Sequence, residues 1–124
     1  MKTLNLGLIG VGRIGTMHAN NLNTLRPQLA ERGLDVNLWI TDVAADYART
    51  VAEGLGANFF DSVQGMIDAG VDALLIATGT MTHPDLIRAG IAANLPVFCE
   101  KPVAGDVEAA LPLLEEIAAA SGRV

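Results

Sequence analysis

Apolar residues along the chain occur in short runs that alternate with longer segments of mixed polarity. Runs of four to seven such residues, bounded by turn residues, predict β-strands. Five are found, at Leu4–Ile9, Val36–Thr41, Ala57–Phe60, Val71–Ala77 and Leu95–Cys99. The fourth run is almost continuously apolar, which is typical of a strand covered on both faces of a parallel sheet.

Helical spacing of apolar residues follows each of these runs. It predicts helices from Gly12 to about 25, over 44–54, 62–69 and 82–93, and from Gly105 or Asp106 onward, with Gly122 as a stop. Pro27 is expected to end or kink the first helix, although residues 28–32 can add another turn. The last helix is expected to carry one apolar stripe, made of Val107, Leu111, Leu114 and Ile117.

Strands and helices thus alternate throughout the chain. This pattern predicts right-handed βαβ units and an α/β fold of three layers, a doubly wound parallel sheet in the order 3-2-1-4-5. The length of 124 residues suits one domain, residues 1–124. A sixth strand would complete such a sheet, so we expect the sequence to be interrupted before that strand and before any further domain.

The glycine motif Gly10-x-Gly12-x-x-Gly15 lies between the first strand and the first helix. In that context Gly10 allows a tight turn, Gly12 lets a pyrophosphate approach the backbone, and Gly15 lets the helix pack closely. The free N–H groups of the helix would face the phosphates. The alternative is a glycine-rich turn without a ligand. Intervening residues of the predicted phosphate-binding turn are Val11, Arg13 and Ile14.

An acidic residue for the ribose of a dinucleotide has two candidates. Spacing from the glycines points to Asp35, whereas geometry points to Asp42, which ends the second strand. We choose Asp42, since Asp35 precedes that strand and would lie at the opposite edge. A carboxylate there would repel a 2′-phosphate and favours NAD over NADP, unless Arg13 swings toward that phosphate. Alternatively, Asp42 only caps the helix near Ala44.

Small residues end the fourth strand, and Ala77, Thr78 and Thr80 keep the following loop low enough for a nicotinamide ribose to cross it. His83 stands near the next helix N-terminus, where it either faces the cofactor and substrate or is a capping or surface residue. His18 lies within the first helix, and we interpret it as structural and distant from this edge.

Charged residues directly after the apolar fifth strand, Glu100 and Lys101, precede Pro102. Lys101 would face the nicotinamide end of a dinucleotide and could hydrogen-bond a substrate hydroxyl, lowering the cost of moving its proton. The alternative is an exposed, salt-bridged turn.

Charge and cysteine content limit the classes of partner and the cellular compartment that the sequence suggests. A net charge of −6 and a pI near 4.6 argue against nucleic-acid and anionic-membrane binding. The single cysteine, Cys99, permits no intrachain disulfide and favours the reducing cytoplasm. No apolar run is long enough to span a bilayer, and no metal site is predicted.

Several of these residues form one combination: Gly10-Val11-Gly12-Arg13-Ile14-Gly15 with His18, then Asp42, Ala77-Thr78 with His83, and Cys99-Glu100-Lys101-Pro102. In this combination the whole chain resembles the N-terminal half of the Gfo/Idh/MocA oxidoreductases, and inositol 2-dehydrogenase-like members in particular. The resemblance implies a Rossmann domain. One departure is Gly79-Thr80, where the family often has Pro-Asn, which affects the expected cofactor contact of that loop.

The resemblance further implies that NAD or NADP serves to oxidise or reduce a hydroxyl carbon of a sugar, inositol or related polyol. The lysine matching Lys101 takes part in catalysis, and Glu100 shapes that corner of the site. Family members continue into a second α/β domain with most substrate contacts and usually the oligomer interface. We therefore expect a homo-oligomer for the full-length enzyme and weak or absent turnover from these residues alone.

Two alternatives remain. One is a stand-alone nucleotide-binding or redox-sensing module without catalysis. The other is an enzyme of the same superfamily that acts on amino acids, imines or biliverdin-like substrates.

Overall fold

Five parallel strands form a single sheet in the computed structural model, which describes residues 1–124. In chain order they are β1 (Lys2–Ile9), β2 (Leu34–Thr41), β3 (Asn58–Phe59), β4 (Ala73–Ile76) and β5 (Val97–Cys99). The order across the sheet is β3-β2-β1-β4-β5. The chain therefore starts at the centre and winds outward in both directions, which confirms the predicted doubly wound topology.

A helix connects each strand to the next along the chain, and a further helix follows β5. They are α1 (Arg13–Glu31), α2 (Ala45–Leu55), α3 (Val63–Asp68), α4 (His83–Ala92) and α5 (Val107–Ala119). A 3₁₀ turn over Thr80–Thr82 precedes α4 in the segment predicted as a loop. None of these helices combines the length and the hydrophobicity that crossing a membrane requires.

Two apolar clusters lie on opposite faces of the sheet. Side chains alternate along β1, so Leu8 packs in the cluster with α1 and α2, whereas Ile9 packs in the cluster with α3, α4 and α5. Leu8 and Ile9 are both buried, and so are Leu74 and Ile76 of β4, while Leu75 between them is half-buried. Burial of neighbouring residues on both faces explains why the strand sequences are nearly continuous in apolar residues.

Glycine is required where α1 leaves β1. Gly10 has a φ of +97°, and a Cβ there would lie 2.7 Å from the carbonyl oxygen of Ala77. A Cβ at Gly15 would overlap the carbonyl oxygen of Gly10. By contrast, a Cβ at Gly12 would meet no atom within 4 Å. Two of the three motif glycines are thus required by the fold, while the third faces open space.

Pro27 does not end the first helix, which continues to Glu31. A proline removes the N–H that would bond the carbonyl four residues earlier. Here both Pro27 and Asn23 are exposed, so the carbonyl left without a partner can be hydrated. The predicted end near residue 25 was therefore wrong, whereas the further turn expected over 28–32 is present as far as Glu31.

The predicted apolar stripe of α5 is mostly on the outer face of the helix. Val107, Leu111 and Leu114 are each at least half exposed, whereas Leu113 is fully buried and Ile117 packs beside it. The helix is apolar around most of its circumference, so its sequence does not specify one face. The face of Leu113 is the one that packs in the cluster containing Ile87 of α4.

Replacing Gly15 by alanine should destabilise the fold by about 1–3 kcal/mol, the usual cost of an overpacked methyl group. The matched variant Gly12→Ala should change the free energy of unfolding by less than about 0.5 kcal/mol, since its methyl group meets no neighbour. Urea denaturation of the two variants measures both values. Equal losses of stability would contradict the close approach of α1 to the β1 turn.

Candidate functional site

A cleft of about 640 Å³ opens at the carboxyl edge of the sheet, where the strand order reverses between β1 and β4. Open α/β sheets bind ligands at this position. The cleft is lined by loops that follow β1, β2, β3 and β4 together with the start of α4. Among its walls are five of the predicted site residues, namely Gly10, Gly12, Asp42, Ala77 and Thr78.

The glycine turn is held in place by hydrogen bonds to its backbone N–H and carbonyl groups. The Gly10 N–H donates to the carbonyl oxygen of Thr41 at 2.9 Å. The Val11 N–H donates to Oδ2 of Asp42 at 2.8 Å, and Val11 is fully buried. The Thr16 hydroxyl donates to the Val11 carbonyl at 2.8 Å. The turn is therefore rigid before any ligand binds.

The N-terminus of α1 offers unpaired N–H groups beside the cleft. Gly12 is the N-cap and has no capping side chain. The amides of Gly12, Arg13 and Ile14 donate to no acceptor within the chain. Free N–H groups at a helix N-terminus, together with the positive end of the helix dipole, suit a phosphate group. Arg13 and Ile14 are exposed and stand outside the cleft wall.

Asp42 organises the β2 side of the cleft. Its Oδ2 accepts the Val11 N–H and its Oδ1 accepts the Ala44 N–H at 2.9 Å. The bond to Ala44 closes a local turn before α2 and does not cap that helix, since α2 has Ala44 as its N-cap and no capping side chain. Asp42 also faces the cleft. A carboxylate has about four acceptor positions, so two are left for ligand hydroxyls. Asp35 pairs with Thr3 near the opposite end of the strands.

Sequence reasoning missed the wall contributed by the β3 loop and by α4. Asp61, Ser62 and Val63 line the cleft after β3, and Asp85 lines it from the first turn of α4. The Ser62 hydroxyl accepts the Gly65 N–H at 3.0 Å and caps α3. The only signal in the sequence was that Asp61 and Ser62 directly follow a short predicted strand.

The loop after β4 is closed by its own threonines. The hydroxyls of Thr78 and Thr82 lie 2.6 Å apart, and the Thr82 hydroxyl donates to the Gly79 carbonyl at 2.7 Å. Thr80 lies in the 3₁₀ turn and does not line the cleft. The loop stays low over β4 because its polar groups bond within it.

His83 lies beneath the cleft rather than in its wall, with 1% of its surface exposed. Its Nδ1 is 2.7 Å from the carbonyl oxygen of Pro102, and its Nε2 is 3.0 Å from that of Thr78. The ring therefore lies between the loops that follow β4 and β5. Its predicted cofactor contact stays a prediction, since both nitrogens already face backbone oxygens.

His18 is close to the predicted site, so the prediction that it lies far from this edge was wrong. Its Nε2 is 2.5 Å from Oε1 of Glu100, and both side chains are mostly buried. His18 is only five residues beyond the start of α1, about 7.5 Å along the helix axis, and so stays near the carboxyl edge. Local sequence patterns do not reveal this contact, because His18 and Glu100 are 82 residues apart along the chain.

Lys101 is exposed and has no hydrogen-bond or ion-pair partner in the chain.

The thiol of Cys99, two residues before Lys101, is less accessible to solvent than the lysine. Burial, and secondarily the Glu100 carboxylate, raise the pKa of Cys99 to about 11. A thiol with such a pKa is almost entirely protonated near neutral pH and is a poor nucleophile.

The comparisons with known proteins agree with this geometry. Residues 4–124 match the family model described as "Oxidoreductase family, NAD-binding Rossmann fold". The chain is 37% identical over 123 residues to inositol 2-dehydrogenase 3 of Saccharopolyspora erythraea, covering 98% of this chain and 35% of that protein. It is 35% identical over 115 residues to myo-inositol 2-dehydrogenase of Thermotoga maritima, covering 91% and 32%.

Among solved structures, a scyllo-inositol dehydrogenase from Lactobacillus casei, determined with bound NAD(H) and scyllo-inositol, superposes with a TM-score of 0.80. It is 28% identical, and the match covers 96% of this chain and 34% of that one. The chain spans about a third of the length of the relatives it matches. With the matched family model spanning nearly every residue, the chain belongs to the Gfo/Idh/MocA oxidoreductases, in their NAD-binding Rossmann domain.

Proposed function

We propose that this chain binds NAD along the carboxyl edge of its sheet and is the cofactor-binding part of a dehydrogenase. The reaction is hydride transfer between the nicotinamide and a hydroxyl carbon of a sugar, inositol or related polyol. The observation that carries the proposal is one cleft that joins Gly12, beside the free amides of α1, to the carboxylate of Asp42. These groups match the pyrophosphate and ribose of a dinucleotide in chemistry.

The residues present fit such a cofactor. Gly12 lines the cleft, and no residue beyond its chain neighbours comes within 4 Å of the position of its missing Cβ, so a phosphate can approach the backbone there. Asp42 keeps two acceptor positions for ribose hydroxyls after bonding Val11 and Ala44. When bound, NAD supplies the hydride acceptor or donor, which no side chain of this chain can supply.

Preference for NAD over NADP is supported by the charge of the cleft. Three carboxylates, those of Asp42, Asp61 and Asp85, line it, and no lysine or arginine does. A 2′-phosphate adds about two negative charges, which like charges disfavour by several kcal/mol at close range. Arg13 is exposed outside the cleft wall, so it has no fixed place from which to offset this repulsion.

Lys101 would assist the proton of the substrate hydroxyl. It follows β5 directly and is exposed, with its ammonium group bonded to no other residue. A free ammonium can donate to the substrate oxygen and lower the cost of the charge that develops there during hydride transfer. The polyol assignment is supported by the two relatives described above, which are inositol 2-dehydrogenases.

A redox sensor that acts through cysteine is less well supported. Cys99 is the only thiol, and burial beside Glu100 raises its pKa to about 11. Sensor cysteines are exposed and have a lowered pKa. A nucleotide-binding module without catalysis leaves the free Lys101 without a role.

The NAD preference depends on Asp42. Calorimetry should show that the chain binds NAD more tightly than NADP. The Asp42→Asn variant should bind NAD more weakly and should show a smaller difference between its affinities for NAD and NADP. Asp35→Asn is the matched control, since Asp35 lies near the opposite end of β2, and it should leave both affinities unchanged. Equal affinities of the unmodified chain, or tighter NADP binding, would count against the assignment.

Turnover depends on Lys101 and on substrate contacts beyond these residues. In the complete gene product, Lys101→Met should lower kcat for polyol oxidation by about 10²–10⁴-fold, with the affinity for NAD nearly unchanged. The 124-residue chain should give little or no polyol-dependent NADH. Rapid NADH production by this chain would refute the need for substrate contacts beyond these residues. An unchanged kcat in the Lys101→Met variant would refute the role of the lysine.

The thiol of Cys99 should react slowly with iodoacetamide at pH 8. Its rate should rise about tenfold per pH unit until it levels near pH 11, because only the thiolate reacts and its pKa is raised to about 11. The control is the same chain in concentrated urea, where the reaction rate should level near pH 8.5, the ordinary pKa of a thiol. A folded-state rate that levels below pH 9 would restore the redox-sensing alternative.

A further inference from the structure

The two histidines of this chain both contact the turn that carries Lys101, although they stand on different helices. His18, in α1, contacts the side chain of Glu100 on one side of the lysine. His83, at the start of α4, contacts the backbone of Pro102 on the other side. We propose that His18 and His83 are positioning residues that hold the Glu100–Pro102 turn from both ends and thereby fix the lysine. This inference rests on the catalytic role proposed for Lys101.

The turn needs such anchors because its own strand gives it little support. β5 has three residues and forms one edge of the sheet. The last backbone bond to the sheet is donated by the Glu100 N–H to the Ile76 carbonyl at 3.0 Å. Neither the amide nor the ammonium group of Lys101 bonds any other group of the chain. Contacts of the neighbouring residues therefore determine where the lysine points.

The anchor from α1 is a side-chain pair. His18 Nε2 and Glu100 Oε1 lie 2.5 Å apart, with 20% and 29% of the two side chains exposed. The Phe98 ring packs edge-on against the imidazole, with centroids 6.2 Å apart. Since α1 also presents its free amides to the cleft, this pair links the predicted phosphate site to the predicted proton-transfer residue through one rigid helix.

The anchor from α4 lies between two loops. His83 Nδ1 lies 2.7 Å from the Pro102 carbonyl, and Nε2 lies 3.0 Å from the Thr78 carbonyl. Carbonyl oxygens only accept, so each of these bonds uses an N–H of the ring. Whichever nitrogen carries the proton, the ring holds one of the two loops against α4. At 1% exposure His83 cannot touch a substrate, which makes its effect on Lys101 indirect.

Loss of either anchor should affect the chemical step more than cofactor binding. A catalytic group displaced by about 1 Å can lose about 10²-fold in rate. The groups proposed to bind NAD at Gly12 and Asp42 share no hydrogen bond with His18, whereas His83 faces the carbonyl of Thr78 in the cleft wall. For His18 the expected signature is therefore a reduced kcat with an unchanged affinity for NAD.

The test compares His18→Leu with His18→Gln in the complete gene product. Leucine removes the N–H that faces Glu100, whereas the glutamine amide can donate to the same carboxylate. We expect leucine to lower kcat for polyol oxidation at least tenfold, with the calorimetric affinity for NAD within twofold of the parent. Glutamine should restore most of kcat. Equal impairment of both variants, or an unchanged kcat in His18→Leu, would overturn the proposal.

A second readout does not depend on turnover. Amide hydrogen exchange of the peptide over 97–103 should accelerate in His18→Leu and return toward the parent rate in His18→Gln. If the parent protein fails to bind NAD, the proposed function fails. The exchange rates still decide whether His18 holds the turn, and identical rates in all three proteins would overturn the anchoring.

His83 can be tested with two variants that each keep one of its contacts. Asparagine places its amide near Nδ1, on the Pro102 side, whereas glutamine reaches toward Nε2, on the Thr78 side. His83→Asn should retain more kcat than His83→Gln, because Pro102 adjoins Lys101. The reverse order would overturn the role of the Pro102 contact. Failure of both variants to fold would leave the His18 pair to decide the proposal.

Discussion

The close approach of α1 to the β1 turn is the constraint on which the rest of the site depends. Gly15 packs against the Gly10 carbonyl and the Ala77 side chain, at the junction between β1 and β4. Because these two glycines have no side chains, α1 can begin directly at the carboxyl edge of the central strands. That entry brings the free amides of its first turn to the cleft and also brings His18 within reach of Glu100. One packing contact thus sets the position of groups at the middle and at the nicotinamide end of the predicted cofactor path.

The electrostatics of the cleft follow from backbone as much as from side chains. The chain is acidic overall, and three aspartates line the cleft. An anionic cofactor can still bind where the helix dipole and unpaired N–H groups offset that charge locally. Phosphate recognition through the backbone leaves the side chains free for selection, and carboxylates then favour hydroxyls over a further phosphate. This division of roles explains how an acidic domain belongs to a dinucleotide-binding family.

Most of the fold could be predicted because strands and helices of this class carry local signals. The five apolar runs, the glycines and the strand order were correct, and the strand ends differed by one or two residues. Pro27 and the stripe of α5 were misjudged for a shared reason. In both cases the outcome depended on which helix face meets the rest of the protein. Leu113 and Leu114 are adjacent in the sequence and equally apolar, yet one is buried and the other half exposed.

The site divides in the same way. Residue identity and spacing were sufficient to propose Gly10, Gly12, Asp42 and Lys101, because strand ends and glycine turns place them at one edge by simple geometry. Three features required the folded chain: the wall formed by Asp61 and Asp85, the burial of His83 between two loops, and the pairing of His18 with Glu100. Each joins segments far apart in the sequence through side chains of short reach. Local patterns encode the elements and their edges, whereas contacts between distant side chains depend on how closely the helices pack against the sheet.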